Sequence, residues 1–181
     1  MTTEVKPTPI PDDDTARLAG IASTGSVAAL RAARADATRY TQGSFDALFD
    51  PNATGLSLDE RFAAASYAAA LSAAPEAARA YRERLPALGS SARSAIAALE
   101  GFIAEGVAHA NAADTDARLA AILKHTHALA TLTPNPDKSA LLRVKQAALS
   151  TPEIVALSQL VAFVTYQVRI VAALRALEAT A

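Results

Sequence analysis

Few side chains in this sequence can transfer a proton or hold a ligand. Histidine occurs only as His109, His125 and His127, and cysteine does not occur at all. Without a thiol there is no disulfide, no thiolate metal site and no thiol catalysis. His125 and His127 are two residues apart, which on a helix points them about 200° apart. Metal-binding pairs need a separation of three or four, so these two do not form one. One of them either faces the core against a polar partner or serves in catalysis. His109 falls near an expected helix end, where a cation complements the dipole. Tyr81 stands among Arg79, Arg82 and Arg84. That cluster is either an anion site or, with Glu76 and Glu83, a solvated face of ion pairs. Gln159, Tyr166 and Gln167 interrupt the most apolar stretch, and buried amides need partners. They either join packed surfaces or line a pocket. Asp12, Asp13 and Asp14 read as a solvated run before a helix rather than a cation site. No Gly-rich phosphate loop, Ser-His-Asp spacing or metal motif occurs, so no cofactor and no metal is expected.

The elements that must carry these residues are helices. In 149–178, Ser150 and Glu153 have the spacing of a capping box, and Pro152 sits in the first turn, where its missing N–H is harmless. Ile154, Val155, Leu157, Leu160, Val161, Phe163, Val164, Val168, Ile170, Val171, Leu174 and Leu177 then cover more than one face, the pattern of a buried helix. At about 1.5 Å per residue it would run roughly 40 Å, and it is expected to be the central helix. The stretch is also long enough for a bilayer. Gln159, Gln167 and Arg169 within it favour a core helix, and no membrane partner is expected.

Residues 1–14, with Pro7, Pro9 and Pro11, read as a flexible tail, and 15–181 as a single domain. Helices are expected from Ser26 to about Tyr40, with Val27 and Leu30 inward, and again around 44–49. Another runs from the Ser57–Glu60 capping box to Ser72, and the next from Pro75 to Leu85. Later helices span about 91–107, 115–132 and 137–148. Nothing alternates with period two, so the fold class is all-α. At 51% hydrophobic and 19% charged residues the chain is globular. A net charge of −1 offers no basic footprint, hence no nucleic acid. The N-terminus carries no apolar signal core, so a cytoplasmic location is expected.

One motif recurs. Leu56-Ser57-x-x-Glu60 before an alanine-rich helix is echoed by Leu149-Ser150-x-x-Glu153 before the long one. With Tyr81-Arg82-Glu83-Arg84-Leu85, Asp116-Ala117-Arg118-Leu119, His127-Ala128-Leu129 and Val161 to Arg169, this order of segments resembles the carboxymuconolactone decarboxylase/alkylhydroperoxidase-D-like superfamily, in its peroxidase-related branch. The resemblance covers about residues 20–178. It implies an all-helical fold of two pseudo-repeated halves and assembly as a homo-oligomer: dimer, trimer or hexamer. Exposure of Val168, Ile170 and Val171 would mark obligate assembly. Active members relay a proton through glutamate and histidine to a Cys-x-x-Cys thiolate that attacks peroxide. Set in register, the cysteine slots fall on Ala74 and Ala77, the histidine slot on Tyr81 and the glutamate slot on Phe62. Glu60 lies close by without matching. The resemblance therefore implies a non-peroxidatic protein acting by assembly or small-molecule binding. The alternative is a thiol-free acid–base enzyme, a decarboxylase or isomerase, using Tyr81, His125 or His127 with Glu60, which requires these side chains to converge on one cavity.

Overall fold

A computed structural model describes residues 13–112, 115–132 and 138–180. Of the expected tail 1–14, residues 1–12 lie outside them, as do 133–137, while Asp13 and Asp14 are not tail but the N-cap and first residue of a helix. Among the described residues there are nine α-helices and no strand: α1 (Asp14–Ala19), α2 (Ser26–Ala32), α3 (Ala35–Leu48), α4 (Leu58–Leu71), α5 (Pro75–Arg82), α6 (Ala92–Glu105), α7 (Ala117–Ala130), α8 (Lys138–Gln146) and α9 (Thr151–Glu178). The all-α expectation holds. Tertiary contacts divide the chain into two compact units, Met1–Ala47 with Arg169–Ala181, and Leu48–Val168.

In the first unit, Asp13 accepts from the Ala16 N–H as the N-cap of α1 and pairs with Arg31 at 2.8 Å. Both side chains are nearly closed off from water, so Asp13 is a buried cap rather than part of a solvated run. Arg175, near the end of α9, donates to the Leu18 carbonyl at 2.7 Å. The helix expected over 26–40 breaks at Ala33 and Arg34 and resumes as α3, which absorbs the expected turn at 44–49. The N-cap of α2 is Gly25, which makes no side-chain cap hydrogen bond. Val27 is inward, but Leu30 is exposed.

The second unit is built around α4, not α9. Nine consecutive residues of α4, from Arg61 to Ala69, are buried. Alanine explains this: with only a methyl beyond the backbone, neighbouring helices can close on every side. In α9, by contrast, Ile154, Leu157, Leu160, Val161, Val164, Gln167 and Val168 form an inward stripe, while Val155, Gln159, Ala162 and Tyr166 face outward. By length and composition α9 could cross a bilayer, and 50% of its most apolar window is buried within the protein. Both capping boxes form. Ser57 and Glu60 close reciprocally at the start of α4. The Ser150 N–H donates to Glu153 Oε2 at 2.7 Å, and the Glu153 N–H donates to Ser150 Oγ at 3.4 Å. Arg61 fastens the segment before α4 by donating to the carbonyls of Leu48, Asp50, Ala53 and Thr54 at 3.0–3.3 Å.

Candidate functional site

The four positions that the resemblance assigns to a redox site lie at α4 and the opening of α5. Ala74 is the N-cap of α5, Ala77 falls in its first turn, and Tyr81 is one turn further on. Pro75 suits the first helical position because its missing N–H has no intrahelical partner to lose. Phe49 stacks on the Phe62 ring at 4.8 Å between centroids and on Tyr81 at 5.5 Å, drawing the two together. The Arg84 guanidinium lies over Phe62 at 5.6 Å, and burial pushes it below its ordinary pKa, with Tyr81 opposing. The Tyr81 hydroxyl donates to Gln167 Oε1 of α9, and both side chains are buried. What occupies these slots is therefore two methyl groups, an aromatic stack and a phenol–amide hydrogen bond. None of the four groups is a thiol, and the one hydroxyl among them is engaged in a buried hydrogen bond. Of the arginines beside Tyr81, Arg79 pairs with Glu83 at 3.8 Å on an exposed face, and Arg82 pairs with Glu100 rather than with Glu76.

Glu60 belongs to a different arrangement. Arg118 in the first turn of α7 donates through Nε to Glu60 Oε1 at 2.7 Å and through Nη2 to Glu153 Oε1 at 2.6 Å. It also donates to the Ala148 carbonyl at 3.3 Å. One guanidinium thus spans both capping boxes, each carboxylate already committed to its own helix start. The Ser150 hydroxyl and N–H hydrogen bonds, followed by Arg118, hold the Glu153 carboxyl down at about 2. Hydrogen bonds to both carboxylates in turn raise the Arg118 guanidinium.

The histidines part company. His127 Nδ1 is hydrogen-bonded to the hydroxyl of buried Tyr67 at 2.9 Å, and burial pushes that phenol up. His125 Nε2 lies 3.4 Å from Ser158 Oγ, and burial pushes its imidazole down. His125 alone of the sequence-selected residues lines a cavity of about 350 Å³, between α7 and α8. His109 does not merely complement a helix dipole. In the 3-10 turn Gly106–Asn111, its Nδ1 meets Glu105 Oε2 and its Nε2 meets Thr115 Oγ1, both at 3.2 Å. Its ring lies against Gly101 of α6 and edge-on to Phe102 at 5.8 Å, beside a second cavity of about 400 Å³. This carboxylate–imidazole–hydroxyl chain ties the exit of α6 to the entry of α7.

Tyr81, His125, His127 and Glu60 therefore keep four separate sets of partners and share no hydrogen bond. Gln159 and Tyr166 lie on the outer face of α9, leaving Gln167 as the polar group turned inward. Of the three residues whose exposure would mark obligate assembly, Val168 and Val171 are buried within the chain itself and Ile170 is half-buried. Sequence reasoning assigned no role to Arg118. Its signal was a cation in the first turn of a helix, where the dipole disfavours one unless carboxylates face it. Compared with known proteins, the chain matches no family model, no curated protein and no solved structure.

Proposed function

We propose that this protein is a cysteine-free relative of the carboxymuconolactone decarboxylase/alkylhydroperoxidase-D-like fold, non-peroxidatic, acting by homo-oligomeric assembly or small-molecule binding. The observation that carries the reading is the location of the emptied slots. Ala74 and Ala77 occupy the N-cap and first turn of α5, the position at which a helix N-terminus would lower a thiol pKa. The remaining two slots, Phe62 and Tyr81, are joined through Phe49 and closed by packing. The two capping boxes bridged by Arg118 support two halves of similar construction. The acid–base alternative needs a shared cavity, and its four side chains go to different partners.

The test has two arms. Purified protein mixed with a hydroperoxide and a dithiol donor is expected to consume no peroxide above buffer, and turnover would overturn the reading. The A74C/A77C double variant is expected to form a reversible disulfide, with one thiol below the ordinary value of about 8.5. An unpaired couple of ordinary acidity would show that the register is wrong. Light scattering above the 18.7 kDa monomer mass is the expected mark of assembly.

A further inference from the structure

The cavity between α7 and α8 combines an apolar lining with basic side chains. Its floor is alanine, including Ala120 and Ala121, where two helices approach without filling the space between them. Its polar groups are Lys124, His125, Arg143 and Gln146, and no Asp or Glu is among the described residues that line it. Lys124 and Arg143, the latter with a partner of its own, stand at a methyl-lined cleft of about 350 Å³, within the size range of small-molecule sites. An apolar floor takes up hydrocarbon by excluding water, and cations at its walls select the sign of the attached head group. His125 is held towards its neutral form by burial and meets Ser158 through Nε2. It adds a polar contact without adding a third full charge.

We propose that the α7–α8 cleft binds a small carboxylate carrying a hydrocarbon body, with Lys124 facing the carboxylate and the alanine floor taking the apolar part. The proposal rests on the small-molecule half of the function proposed above and is independent of the redox-silent half.

The experiment uses the full chain and three probes of increasing apolar size: acetate, hexanoate and benzoate. Benzamide and hexanol serve as uncharged counterparts. Binding is followed by calorimetry and by the imidazole resonances of His125, which sits on the cavity wall. Hexanoate and benzoate are expected to bind more tightly than acetate and to shift His125 but not His109, while benzamide and hexanol leave both unmoved. K124E is expected to weaken benzoate at least tenfold. A128L, at an exposed position on the rim, is expected to remove binding by filling the cleft while the circular dichroism and unfolding midpoint stay those of the parent. Equal binding of benzoate and benzamide overturns the proposal, as does unchanged affinity in both variants, or no binding by any of the three carboxylates at millimolar concentration. Such a failure leaves the peroxide assay, which reads a different property, untouched.

Discussion

At the scale of single residues, the Tyr81–Gln167 hydrogen bond is the most consequential polar contact in the aromatic cluster. It joins residues 86 positions apart, and Gln167 has no exposure to water. Removing only one partner leaves the other buried without that bond, at about 1–3 kcal/mol, whereas removing both by apolar groups of similar shape is close to neutral. Y81F is therefore expected to lower unfolding free energy by about 1–2 kcal/mol, and Y81F/Q167L to recover most of it. Urea denaturation of the two variants measures this, and a double variant as unstable as the sum of its singles would refute the pairing. Half of the contact is legible in the sequence. A glutamine inside an apolar helix announces a need for a partner. Nothing in the spacing says that the partner is Tyr81, because period and composition carry no information about which helices meet.

Elements show where hydrophobicity misleads. The greatest apolar bulk lies in 149–178, so the sequence points to α9 as the centre, yet α4 is the helix enclosed on all sides. A helix of alanines scores modestly on any hydrophobic scale, but its narrow cylinder is what allows close approach from every direction. The capping boxes were legible because their hydrogen bonds are local. The break at Ala33 and Arg34 was not, since Ala-Ala-Arg-Ala contains no helix breaker and nothing in the structure explains it. Gly101 gives a sharper case. Glycine in the middle of a helix is less favourable than alanine by about 0.8–1.0 kcal/mol, but a methyl group there would overlap the His109 imidazole. G101A is expected to destabilise the protein by about 1–3 kcal/mol, because the ring must leave Glu105 and Thr115. In an H109A background the same change is expected to stabilise by about 0.5–1 kcal/mol, as helix propensity alone dictates. Thermal unfolding of the four proteins of this cycle checks the sign reversal, and equal effects in both backgrounds would show that the glycine serves some other purpose.

For the molecule as a whole, the described residues form two compact units, and within Leu48–Val168 the starts of α4, α7 and α9 converge on Arg118. A side chain that holds two helix caps makes folding of this unit depend on ionised carboxylates. The Glu153 carboxyl is lowered from an ordinary 4.5 to about 2 by the Ser150 hydroxyl and N–H, followed by Arg118. A carboxyl lowered on folding contributes stability that is complete above its unfolded pKa and is lost as pH falls through the folded one. The window in which Glu153 acts is therefore about pH 5 down to about 2. E153Q keeps the shape and the possibility of capping but cannot ionise, so it loses the charge-assisted hydrogen bonds at neutral pH and loses nothing further on acidification. Unfolding free energy measured by denaturant at a series of pH values is expected to show the parent ahead of E153Q at pH 7, with the gap narrowing from pH 5 and nearly closed at pH 2. S150A removes the hydroxyl that contributes most to lowering Glu153, so its loss of stability is expected to follow the same narrowing, with about 1 kcal/mol from the missing cap at neutral pH. Parallel curves for parent and E153Q across that window would mean that the Arg118 contacts make no net contribution, and the joining of the two helix starts would then be geometry without energetic consequence.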